Sequence, residues 1–149
     1  ISIYSDWYTA GGEKGLVDSK LGTLDFRDGS WQGFWGKDLE CVVDLGEDNS
    51  ISEVSTNFYQ YNNSWIFMPK RMEVEASQDG KTWKSLGTPQ PETGPKERGK
   101  HIEKLTVQSE ANIPVRYIKV KAENLGKVPD WHEAAGSDAW IFVDEIVVK

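Results

Sequence analysis

Three short strings in this sequence set aromatic rings beside polar side chains. They are Trp31-Gln32-Gly33-Phe34-Trp35, Tyr61-Asn62-Asn63-Ser64-Trp65 and Asp130-Trp131-His132. Seven Trp, five Tyr and five Phe in 149 residues are several times what a core of this size requires. A flat apolar face with a polar tip suits partly wet contacts, so aromatics in excess of packing point to a ligand. Patterns for nucleophiles and metals are poorer. His132-Glu133 begins an H-E-x-x-H pattern, but Gly136 stands where the second His of a zinc pair belongs. Neither a G-x-S-x-G elbow nor a phosphate loop occurs. The one cysteine, Cys41, leaves no intramolecular disulfide and no Cys-rich zinc site. Asp144-Glu145 is an adjacent acid pair within an alternating run, which predicts two carboxylates on opposite faces of a strand, unable to converge on one substrate.

The elements that must position these residues are strands. Cys41, Val43 and Leu45 alternate with Glu40, Val42 and Asp44, and Met72, Val74 and Ala76 alternate with Arg71, Glu73, Glu75 and Ser77. Further strands are predicted over residues 51–60, 82–86, 102–108, 115–122 and 140–148, with a short one at 2–4. Turn signals at 46–50, at Gln78-Asp79-Gly80-Lys81 and at 111–114 separate them. Asp-Gly between two alternating runs is a strong hairpin signal. Seven or eight short strands with almost no helix predict an all-β antiparallel sandwich, one face of each sheet solvated. Met72, Val74, Ala76, Ile118 and Val120 are expected between the sheets, and Trp83 and Trp140 are read as core. In an antiparallel series, connections alternate between the two ends. The short turns then share one end, and the long stretches 20–38, 61–70, 87–101 and 123–139, which carry the spare aromatics, share the other. Long loops on a rigid scaffold commonly carry binding sites.

Composition excludes several classes. The formal charge is −7 and no stretch concentrates Lys and Arg, which opposes phosphate-driven nucleic-acid binding and anionic membranes. No apolar run approaches the roughly 20 residues of a membrane-spanning helix. The length fits one domain over residues 1–149, and Ile1 at the start reads as a segment cut from a longer protein.

S-Q-D-G-K-T-W-K-S-L-G (residues 77–87) followed by V-R-Y-I-K-V (115–120) resembles the coagulation factor V/VIII type C, or discoidin, family. L-V-D-S-K-L-G-T (16–23) is similar to that family's early loop and F-V-D-E-I-V-V (142–148) to its closing strand. More narrowly, A-G-G-E (10–13), F-R-D-G-S-W-Q-G-F (26–34), S-W-I-F-M-P-K (64–70) and D-W-H-E-A-A-G (130–136) resemble modules appended to bacterial family 20 β-N-acetylhexosaminidases, the chitobiases. The resemblance implies an eight-stranded antiparallel jelly-roll β-sandwich grouped with family 32 carbohydrate-binding modules. It also implies a periplasmic or extracellular bacterial setting, and a glycan and the catalytic domain of the same chain as partners. Family 20 catalysis uses an adjacent Asp-Glu pair, but the strand position of Asp144-Glu145 makes that match a coincidence, and the segment itself is expected to be non-catalytic.

Sugar binding needs an aromatic face for the apolar side of a pyranose, flanked by directional polar groups. Trp31, Gln32, Trp35, Tyr61, Asn62, Trp65, Trp131 and His132 are the candidates, directed at a hexosamine or galactose type of glycan. Any one of these rings can instead pack a long loop, and Phe34 and Phe67 are read as packed; the rival reading is a module that braces the catalytic domain and binds no sugar. The resemblance further implies one structural Ca2+, with side chains from Asp18, Thr23 and Glu145 and carbonyls from Leu16 and Lys20. The family places Gly after the aspartate, whereas Ser19 stands here, and a hydrogen-bonded turn without an ion is the alternative.

Overall fold

Residues that alternate apolar and polar can bury one face of a strand, and the predicted runs do so. The computed structural model describes residues 5, 7–109 and 114–149. Its strands are β1 (Gln32–Trp35), β2 (Leu39–Asn49), β3 (Glu53–Gln60), β4 (Met72–Ser77), β5 (Lys84–Gly87), β6 (His101–Gln108), β7 (Val115–Ala122) and β8 (Trp140–Val148). They form two four-stranded antiparallel sheets, ordered β1-β8-β3-β6 and β2-β7-β4-β5. The strand expected at 2–4 and most of the turn at 111–114 lie outside the described residues. Met72, Val74, Ala76, Ile118 and Val120 are buried in the layer between the sheets, as expected, together with Phe58, Ile141 and Val143.

The two outer faces differ. That of the second sheet is solvated and carries cross-strand charge pairs: Lys121 with Glu40, Lys119 with Glu75, and Arg116 with Asp44. Trp83 is half-buried here, not core, with the Lys119 ammonium 4.1 Å from its ring centre. The first sheet has no such open face. Tyr59 and Phe142 point away from the central core into a second cluster with Phe26, Trp31 and Ile66, flanked by Tyr8, Tyr61 and Trp140. Residues 7–31 therefore cover this sheet, correcting the expectation of one solvated face per sheet.

A β-bulge changes the direction of the acid pair. Thr56 of β3 faces Ile146, yet Phe58 faces Val143, so β8 holds one extra residue. Val143 and Ile146 both enter the central core, which turns Asp144 and Glu145 to the same side, against the N-terminal segment. The expectation of opposite faces fails because the period of two is interrupted. Both carboxylates are buried beneath residues 18–22.

Pairing places Gln60 beside His101, Trp35 beside Trp140, and Leu39 and Met72 both opposite Ala122. The connections 61–71, 88–100 and 123–139 leave from this end, and the short turns lie at the other. The stretch 20–38 departs from the prediction: Trp31 and Phe34, each 1% exposed, draw it onto the first sheet, and residues 32–35 become an edge strand.

Candidate functional site

At the long-loop end, most of the predicted polar groups hold loops together. Trp31 is buried, meets Tyr59 edge-on at 5.1 Å and donates its indole N–H to the Thr23 carbonyl at 2.9 Å. Gln32, 3% exposed, donates from Nε2 to the carbonyls of Thr9 and Gly12, 3.0 Å each. Asn62, equally buried, donates from Nδ2 to the carbonyls of Pro95 (3.2 Å) and Glu97 (3.1 Å). The Ala134 N–H donates to His132 Nδ1 at 2.9 Å, which leaves Nε2–H to donate to the Asn62 carbonyl at 2.7 Å. Trp31, Gln32 and Asn62 thus lack the accessible surface a sugar contact needs: each side chain is buried and spends its N–H groups on loop carbonyls. Two further amides do the same work. Gln60 donates to the Gly94 carbonyl at 2.8 Å, and Asn124 to those of Lys37 (3.0 Å) and Ala139 (3.1 Å). Sequence reasoning missed both; their signal was an amide at the end of a strand where a long loop opens.

Two of the predicted rings remain open. Trp35, 51% exposed, stacks on Trp140 at 5.9 Å and 20°, and its indole N–H is fixed on the Asp138 carbonyl at 2.9 Å. One face is held and the other meets solvent. Trp131, 44% exposed, stands edge-on to Phe67 (6.4 Å) and His132 (5.8 Å), with the Lys96 ammonium 6.0 Å from its ring centre. Tyr61 and Trp65 are half-buried; Lys100 lies over Tyr61, and Trp65 takes a left-handed backbone with φ 65°. The arrangement offers rigid apolar faces with charged and amide groups around them, the chemistry of weak recognition.

The residues implied for a cation are partly assembled. Glu145 Oε2 is buried without a hydrogen-bond partner. Burial raises the Glu145 pKa and the adjacent Asp18 carboxylate adds to it, against the backbone amides of Ser19 and Asp18. An orphan carboxylate oxygen beside a second carboxylate is what a hard cation would satisfy. Ser19 has φ 66°, so it supplies the left-handed turn for which the family uses Gly. Lys20 is exposed and its N–H donates to Asp18 Oδ1 at 3.0 Å, while Leu16 is buried in the 3₁₀ turn Gly12–Val17. Thr23 fits less well, because its hydroxyl donates to Asp28 Oδ2 at 2.8 Å. Burial raises the Asp28 pKa, but donors from Ser30 and Thr23 outweigh it and hold the carboxyl below its ordinary value. Among the described residues no three His, Cys, Asp or Glu side chains converge, so main-chain carbonyls would complete any ion's shell.

Solved structures share this architecture. A CBM32 module from a family 31 glycoside hydrolase of Clostridium perfringens aligns at 18% identity and TM-score 0.54, over 96% of this chain and 84% of its own. The C-terminal domain of a chitobiase from Bacteroides fragilis aligns at 20% identity and TM-score 0.53, over 92% and 78%. A further Clostridium perfringens CBM32 module, solved with GlcNAc-α-1,4-galactose, aligns at 12% identity and TM-score 0.54, over 99% and 88%. The fold is therefore the one these solved modules share. Comparison with curated protein sequences gives no match. The F5/8 type C domain model matches residues 1–137, which takes in the covering N-terminal segment and β1 to β7: the chain belongs to the F5/8 type C domain family.

Proposed function

We propose that this domain is a non-catalytic module that holds a terminal sugar of the hexosamine or galactose type and targets an attached bacterial β-N-acetylhexosaminidase to its glycans. The observation that carries this reading is the open face of Trp35, locked in place by its stack on Trp140 and its bond to Asp138. A ring fixed in advance loses little freedom when a pyranose settles on it. The chitobiase domain and the module bound to GlcNAc-α-1,4-galactose support the choice of enzyme and sugar. A shallow platform should bind between millimolar and micromolar, about −4 to −8 kcal/mol, and linkage to a catalytic domain raises the effective concentration. Such glycans place the parent protein in the periplasm or outside the cell. We assign Ca2+ to Asp18 and Glu145, completed by the carbonyls of Leu16 and Lys20, as a structural ion that fastens the N-terminal segment to β8.

Titration with N-acetylglucosamine, galactose and their β-linked disaccharides tests this. Trp35→Ala and Trp131→Ala should weaken binding tenfold or more while the fold persists. Absence of any titration by the wild-type domain would leave the bracing role, which the His132–Asn62 bond and the Asn62 bonds to residues 95 and 97 favour.

A further inference from the structure

Trp7 is 84% exposed and stands far from the sandwich interior. It forms one wall of a hollow of about 310 Å3 on the flank of the first sheet, lined also by Tyr8, Thr9, Phe26, Arg27 and Trp31. Phe26 and Trp31 are buried and belong to the aromatic layer beneath, so this lining is rigid. The Arg27 guanidinium lies 5.2 Å from the centre of the Phe26 ring. No ion pair or side-chain hydrogen bond engages that guanidinium among the described residues. The nearest acids in sequence are committed elsewhere: Asp25 Oδ1 accepts the Arg27 backbone N–H at 3.0 Å, and Asp28 accepts from Thr23 and Ser30.

The geometry points to a second binding place here, for a single pyranose that bears a carboxylate, such as a uronic acid. Ligand pockets begin near 300 Å3, so this one has room for one ring and little more. The Trp7 face suits the apolar side of that ring. The guanidinium is a planar fork that matches a carboxylate with two parallel hydrogen bonds, which a neutral sugar cannot offer. The overall charge of −7 opposes an acidic ligand at a distance, but that field is largely screened beyond about 8 Å at physiological salt, so the contact with Arg27 decides. This place is independent of Trp35 and Trp131 and of the reading built on them.

The test is a titration of the 15N-labelled domain with methyl glucuronide and, separately, methyl glucoside, following the indole N–H signals. The Trp7 signal, identified by its loss in Trp7→Ala, should move with the glucuronide at a concentration at least tenfold lower than with the glucoside. Arg27→Gln should make the two sugars equivalent, and Trp35→Ala should leave the Trp7 response intact. Both substituted side chains are exposed, so the fold survives the changes. Equal responses to the two sugars in the wild type would overturn the proposal, as would a preference that survives Arg27→Gln. So would signals that move only at Trp35 and Trp131.

Discussion

Truncating Trp31 to Ala should leave a cavity in the aromatic layer, with no direct effect on a sugar held at Trp35 or Trp131. The ring is 1% exposed and packs among Phe26, Tyr59, Ile66 and Phe142. Removing a fully buried Trp costs about 3–5 kcal/mol through lost transfer energy and the hole left behind. The lost hydrogen bond adds little, because Thr23 is exposed and water can reach its carbonyl. At about 3 °C per kcal/mol for a domain of this size, the melting temperature should fall by roughly 10–15 °C. Trp7→Ala is the control. That ring hides about 16% of its surface, roughly 40 Å2, and at ~25 cal/mol/Å2 its loss is ~1 kcal/mol at most. Thermal denaturation followed by circular dichroism, with a glycan titration on each variant, reads both effects. A Trp31→Ala domain that melts within about 2 °C of the wild type, or below which Trp7→Ala falls, would refute the assignment of Trp31 to packing.

Calcium and two acids supply three more expectations. Calcium at 100 times its dissociation constant should stabilise the domain by about 2.7 kcal/mol over a chelator, and Glu145→Gln should erase the difference; equal melting of the wild type in both conditions excludes the ion. Without the ion, the raised Glu145 pKa makes its contribution to stability fall as pH rises from 4.5 through the folded value, and bound calcium should remove that slope. Asp79 has the opposite sign. Backbone N–H groups of Thr82 and Lys81 and the Ser77 hydroxyl hold its pKa at about 2, so its stabilisation is complete above pH 3.8 and is lost as pH falls toward 2. Denaturant midpoints against pH should show that loss in the wild type and not in Asp79→Asn.

The sheets were legible because most strands carry an unbroken period of two. β4 and β7 bury Met72, Val74, Ala76, Ile118 and Val120 as their alternation requires. β1 was not legible, since Trp-Gln-Gly-Phe-Trp has no alternation and its pairing with β8 is set by residues more than a hundred positions away. The bulge at Asp144-Glu145 was hidden for the same reason: an extra residue in one strand shows only against the register of its partner. The solvated face expected of the first sheet is covered by aromatic residues from elsewhere in the chain, Tyr8, Phe26 and Trp31, and no strand's own alternation shows that cover. For the site, residue type put Trp31, Trp35 and Trp131 on one footing, and only the fold separates the two open rings from the buried one. An amide such as Asn62 looks alike in sequence whether it meets a sugar hydroxyl or a loop carbonyl.

The cover over the first sheet has a consequence for the order of events during synthesis. Its anchors join the N-terminal segment to partners made much later: the Gly22 N–H to Asp144, and the Leu24 carbonyl to the Tyr59 hydroxyl. β1 likewise has no neighbour in its sheet until β8 exists. At about 5–20 residues per second, roughly 6–24 s separate Gly22 from Asp144 and β1 from β8, and about 2–7 s separate Leu24 from Tyr59. Through that interval Tyr8, Phe26 and Trp31 have no sheet to lie on, and the nascent chain presents a sticky aromatic stretch with an unpaired strand behind it. The arrangement that makes the finished module rigid therefore leaves its unfinished form with apolar surface uncovered until the last strand arrives.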